Sequence, residues 1–377
     1  MLNKILITIV CIMLVFVSVK ADSHSEISKK RTKAAAGNID AQYDLGRIYA
    51  QGEGVIMSYF EALKWYRLAA DGGHAKAQSN LAEMYEKGLG VRASYTEAFK
   101  WYMLAANQGL AVAQNNLGTM YSNGRGIAQN NTEAFNWCQS AAVQGYAPAQ
   151  YNVGVFFAKG LGVTQNFEEA LKWYKLAADQ GIAAAQNDLG SLYANGQGVI
   201  QDFDEALKWY SRAADQGYAM AHCNLGALYA NGQGVSQNFG KALRFYQLAV
   251  AKGLADAQNN LGVMYANGQG MTQNFDEAVK WYQLAADQGH PGAQCNLGFM
   301  YATGQGVPKN LNEALKLYRL SAAHGYAPAQ YNLGMIYATA QGVKLDKTTA
   351  KEWFGKACDN GFQNGCDKYR ELKDQGF

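Results

Sequence analysis

Apolar residues along the chain follow a helical period nested inside a longer one. Over residues 38–73, Ala41, Leu45, Ile48 and Tyr49 fall at i, i+4, i+7 and i+8, one face of an α-helix. A second helical stretch starts after Ser58, whose hydroxyl suits an exposed amide, and stops at Gly73, which suits the left-handed residue beyond a helix. Between them lies Gly52-Glu53-Gly54-Val55, where glycine permits the positive φ of a tight turn. The pattern then repeats every 36 residues. Ala41-Gln42 returns as Ala77-Gln78, Ala113-Gln114 and onward to Ala329-Gln330, departing only at Ala221-His222. Leu45-Gly46 returns to Leu333-Gly334, Tyr49 to Tyr337, Ala62 to Ala350, and Trp65 to Trp353 with Leu317 as the break in its aromatic column.

Each copy therefore predicts two helices. The Ser58 column holds only Ser, Asn or Asp, and seven copies carry Glu three residues later, the spacing of a capping box. A pair of short helices cannot bury its apolar face alone, so neighbouring copies must stack into one core. The expected fold is all-α: an α/α solenoid, a right-handed superhelix with the first helices lining its concave face. Gly46, beside the bulky Tyr49 and Trp65 columns, predicts a close helix approach. The expected boundaries are an N-terminal capping helix over 22–37, nine repeats over 38–361, and a C-terminal capping helix over 362–377.

Composition changes this picture little, but the first residues change it more. Gly is 41 of 377 residues and Pro only 4, a glycine content set mainly by the repeat. Apolar residues at 49% and charged residues at 17% exclude intrinsic disorder. Ile5 to Val19 is an apolar run too short for a membrane span, preceded by Lys4 and followed by Val19-Lys20-Ala21. It predicts a signal peptide over 1–21, cleaved to leave Asp22, and so an exported protein. The net charge of +3 falls close to neutral once Lys4 and Lys20 are gone, so nucleic acid is not an expected partner.

The pattern A-x-A-Q-x-x-L-G-x-x-Y, then G-x-G-V, A-x-x-W-Y and A-A-x-x-G, resembles the Sel1-like repeat family, a relative of the tetratricopeptide repeat. The resemblance covers about residues 38–373. It implies an adaptor for protein complexes, acting in the envelope, in signalling or at host cells in bacteria, and in the endoplasmic reticulum in eukaryotes. Periplasm or medium is the expected destination, or the endoplasmic reticulum lumen if the source is eukaryotic. Cys358 and Cys366 straddle the last C′ glycine, where antiparallel packing can bring two thiols together, and the same spacing resembles the bridge of the cysteine-rich subset of the family. They are the expected disulfide. Cys138, Cys223 and Cys295 are expected to be buried or groove-side thiols.

Chemistry of other kinds is absent from the sequence. The five histidines form no ligand spacing, so no metal and no cofactor are expected. No G-x-S-x-G, Ser-x-x-Lys or phosphate loop occurs, which predicts a non-enzyme with no small-molecule substrate. Lys64, Lys100, Lys172, Lys208, Arg244, Lys280 and Lys316 form a basic ridge, which the Glu three residues earlier is expected to neutralise. Contact with anionic lipid, or self-association as a structural envelope protein, is the competing class.

Positions that vary between copies are free to specialise. In the tetratricopeptide relative, the positions matching the Tyr43 and Arg47 columns line the groove. Here that stripe is polar at Tyr43, Arg47, Glu83 and Lys87, includes Tyr151, and turns apolar at Val263, Phe299, Tyr331 and Met335. These residues are the expected binding surface for a protein or peptide partner.

Overall fold

The computed structural model describes residues 25–377, and the expected signal peptide lies outside them. A helix over 25–35 is followed by nine helix pairs, from Ile39–Gln51 with Tyr59–Asp71 to Ala327–Thr339 with Lys347–Asp359, and then by Gln363–Asp374. No strand occurs among the described residues, and the fold is an all-α helical-repeat solenoid. The chain divides into two compact units. One holds the described residues up to Ala185 with Gln197–Ile200, the other Gln186–Gly196 and Gln201–Phe377.

The second helices start where the sequence says, by a mechanism that differs from the capping box in one half. Ser58 Oγ accepts from Glu61 N, and equivalent bonds form at Ser94, Asn130, Asn166, Asp202, Asn238, Asn274, Asn310 and Asp346. In a capping box the Glu side chain would return to the cap's own N–H. Here that N–H is already used: Ser58 N donates to Tyr49 O at 3.0 Å, Ser94 N to Tyr85 O, and so on to Asp346 N and Tyr337 O. The cap thereby ties the second helix to the end of the first. The Glu is released to bind the lysine one turn on, as in Glu97–Lys100 at 2.6 Å and Glu205–Lys208 at 2.8 Å.

Packing within a repeat is set by glycine against an aromatic ring. A Cβ added to Gly46 would sit 2.4 Å from the Tyr66 ring, so the two helices meet there only because the side chain is missing. The aromatic knob is Tyr66, in place of the Tyr49 and Trp65 columns that the sequence pattern sets beside Gly46. Around this contact Leu45, Leu81, Leu117 and Tyr102 are fully buried in the first unit, as are Leu261, Leu297, Leu333 and Phe354 in the second.

Packing between repeats is set by two ladders of amides. Gln78 Nε2 donates to Ala70 O of the preceding repeat at 3.1 Å, while Gln78 Oε1 accepts from Gln108 Nε2 at 2.7 Å. Gln114, Gln150 and Gln330 bridge in the same way, the last with Asn360 as its donor. Each bridge adds a second donor to a helix-end carbonyl that already accepts from the C′ glycine, as Ala70 O does from Gly73 N. The second ladder runs through the Asp44/Asn80 column: Asn152 donates to Asn115 at 2.8 Å, Asn224 to Asn187 at 2.9 Å and Asn296 to Asn259 at 3.0 Å. Where the acceptor is a cysteine, Asn260 reaches Cys223 Sγ and Asn332 reaches Cys295 Sγ, both at 3.6 Å.

Candidate functional site

The Tyr43 and Arg47 columns lie one turn apart on the first helices, and the structure gives them unequal roles. Much of the Tyr43 column belongs to the packing: Ser79, Asn115, Asn187, Cys223 and Cys295 are buried, and several accept from the second ladder. Its three tyrosines are half-buried against core rings. Tyr43 stacks on His74 at 4.4 Å, Tyr151 tilts over Tyr174 at 5.8 Å, and Tyr331 meets Phe354 and Phe362 at 5.5 and 5.3 Å. The Arg47 column is the more accessible, with Glu83, Thr119 and Phe299 exposed and Phe299 at 49%.

In the first unit, Tyr43, Arg47, Glu83 and Lys87 line one cleft of about 400 Å³, with Tyr66 and Asn80 also in its lining. Its charges are internally balanced. Arg47 donates to Glu53 and to Gln51, and Lys87 pairs with Glu83. The bond to Glu53 raises the Arg47 pKa, and the bond to Glu83 raises that of Lys87. Burial pushes the Tyr66 hydroxyl up to about 12, against the hydrogen bond it makes with Asn80. The cleft therefore offers phenol and amide groups, with fixed ion pairs at its rim.

In the second unit, Met335 lines a smaller cleft of about 240 Å³ with Phe354, Lys368 and Leu372. Tyr331 and Met335 pack against the buried cluster of Ala350, Phe354 and Leu372. Val263 packs against the cluster that contains Tyr282 and Leu297. Phe299 stands apart from them as the large apolar side chain of the stripe that faces solvent.

Cys358 and Cys366 form a disulfide with Cα atoms 4.5 Å apart. Cys138, Cys223 and Cys295 are buried free thiols, each pushed up to about 12 by burial, far from the thiolate state that nucleophiles and metal ligands need. No cluster of three or more metal-ligating side chains occurs among the described residues, and no helix among them is long and apolar enough to cross a membrane.

Helix pairs of constant length, joined copy to copy by side-chain amides and presenting a variable first-helix stripe, define a helical-repeat scaffold. The Sel1 repeat pattern matches nine consecutive stretches, 39–74, 75–110, 111–146, 147–182, 183–218, 219–254, 255–290, 291–326 and 327–362. The chain belongs to the Sel1 repeat family, whose members are generally protein-interaction scaffolds without enzymatic activity. It is similar to a protective antigen present in uropathogenic Escherichia coli strains, with 31% identity, TM-score 0.60, and 92% of this chain and 82% of that one covered. A Sel1 repeat protein from Oxalobacter formigenes matches at 31% identity and TM-score 0.60, covering 82% of this chain and 89% of that one. An uncharacterized Haemophilus influenzae protein is 67% identical over 27 residues, 7% of this chain and about half, 52%, of that relative.

Proposed function

We propose that the protein is an exported, non-enzymatic scaffold that holds a protein or peptide partner on its first-helix face. The observation that carries this is Phe299, an aromatic side chain left 49% exposed in the column of Arg47 and Glu83, which line a cleft together with Tyr43 and Lys87. Aromatic side chains with solvent on one side and a packed surround are the usual anchors of protein interfaces. Export is supported by the apolar leader and by the disulfide, which belongs to an oxidising compartment. The periplasm or the medium is the proposed destination, and the antigenic character of the Escherichia coli relative supports the same side of the membrane.

Protein contact is favoured over lipid contact by the ridge charges. Lys100, Lys172, Lys208, Lys280 and Lys316 each hold the Glu one turn before them, leaving little free charge for an anionic surface. The test is affinity capture by wild type beside Phe299→Glu. Met335 is unsuitable for that comparison because it supports the Phe354 cluster. A partner kept by wild type and lost by a variant with unchanged melting is the expected result. Equal capture by both moves the interface elsewhere. Amino-terminal sequencing of exported protein should begin at Asp22.

A further inference from the structure

The sixth repeat breaks four columns at once, and three of the breaks converge on one cavity. His222 replaces the bridging Gln, Lys252 replaces its Gln donor, Lys241 replaces the Glu one turn before the ridge cation, and Phe245 stands where Trp is usual. All seven tryptophans of the chain lie in that last column, so Phe245 marks a local loss of indole volume. A cleft of about 380 Å³ opens there between the second helices Phe203–Asp215 and Phe239–Val250, with His222, Tyr229, Lys241, Arg244 and Phe245 in its lining.

The rings form a continuous stack. His222 lies 6.2 Å from Phe245, which lies 5.7 Å from Tyr229 at an interplanar angle of 12°, and Lys241 Nζ sits 4.8 Å over the Tyr229 ring. His222 Nδ1 is buried with no hydrogen-bond partner among the described residues. Leu248, 43% exposed, gives the cleft an apolar edge.

The charges are unbalanced in the same place. In the flanking repeats Lys208 holds Glu205 at 2.8 Å and Lys280 holds Glu277 at 2.5 Å. Arg244 occupies the same ridge position, yet Lys241 stands where its acid would be, and Arg244 has no ion pair among the described residues. Asn238 Oδ1 accepts from Lys241 N, which puts a cation in the first helical turn, the end where the helix dipole disfavours one. Asp215, on the facing helix, is the acid of the lining. An anion here would satisfy Lys241, Arg244 and the helix end together.

We propose that this cleft receives an acidic–aromatic segment of a protein partner. The aromatic ring would lie over Phe245 in the space an indole vacates, with an adjoining carboxylate held by Lys241 and Arg244. This site, set on the second-helix positions Lys241, Arg244 and Phe245, does not rest on the Phe299 reading above. The test is fluorescence anisotropy of the intact chain with a labelled hexapeptide centred on Glu-Phe-Glu, beside its Gln-Phe-Gln isostere. The acidic peptide should bind at least about tenfold tighter, the loss expected of one charge-assisted hydrogen bond. Lys241→Glu and Phe245→Trp, which restore the residues of most other repeats, should each abolish that preference while leaving melting unchanged or higher. Phe299→Glu should leave it intact, so this site and the first-helix face fail separately. Equal binding of the two peptides overturns the proposal. So does binding indifferent to both substitutions, or full competition by phenylacetate at the affinity of the peptide, which would mark a site for small carboxylates.

Discussion

His324 stands where most copies hold Gln, and the consequence lies one helix away: Gln294 Oε1 is buried with no partner among the described residues. Gln258, whose donor Gln288 is intact, accepts at 2.7 Å. Replacing His324→Gln should restore the missing bond and raise stability by about 1 kcal/mol, read as a higher urea midpoint at constant slope. Ala340 is a second local exception. It holds φ of 55° where the equivalent Gly304 holds 78°, a conformation that costs a side chain about 1 kcal/mol. Ala340→Gly should therefore stabilise, and an unchanged or lower melting temperature would refute the reading. Single residues were also where the sequence was least legible. Adjacent columns such as Trp65 and Tyr66 both recur with the period, and periodicity alone did not say which one fills the notch at Gly46. The Tyr43 column looked free to vary because Asn and Cys both serve as acceptors from the same ladder.

At the scale of the helix, the start signal was almost wholly legible, since nine short polar side chains in one column have few other uses. The part that escaped was the competition for the cap's own amide. A carbonyl from the preceding helix takes it, and local sequence spacing carries no trace of that partner. Asp346 shows what such a cap does with acid. Its bond from Thr349 N holds the carboxyl below its ordinary value of 3.8. A depressed folded pKa means the cap's contribution is whole above that value and fades as pH falls through the lower, folded one. Asp346→Asn keeps an acceptor without the proton, so wild type should lose its melting advantage over the variant as pH falls below 3.8. The paired lysines of the ridge should show no comparable effect when replaced singly, because solvent screens exposed pairs of this kind.

At the scale of the molecule, the fold was legible because each copy restates it: helix count, length and order were fixed nine times over. Legibility stopped at the binding stripe, since a repeat says which positions are free without saying what they touch. The disulfide was legible as a pair but not as part of the ladder. Cys358 and Cys366 are eight residues apart, as are Ala70 and Gln78, and they fall in those same two columns. Where Gln42, Gln78, Gln114, Gln150, Gln294 and Gln330 hand over by a side-chain hydrogen bond, the last handover is covalent. The closed loop is short, and its removal by Cys358→Ser with Cys366→Ser should cost about 2–3 kcal/mol. Hydrogen exchange should assign the loss to Gln363–Asp374 and leave the earlier helices protected. Helix Gln363–Asp374 lies on the second helix of the last repeat as the first helix of another copy would, and the disulfide clasps it there. That clasp closes only under oxidising conditions, so the end of the stack is the part whose stability follows the redox state of its surroundings.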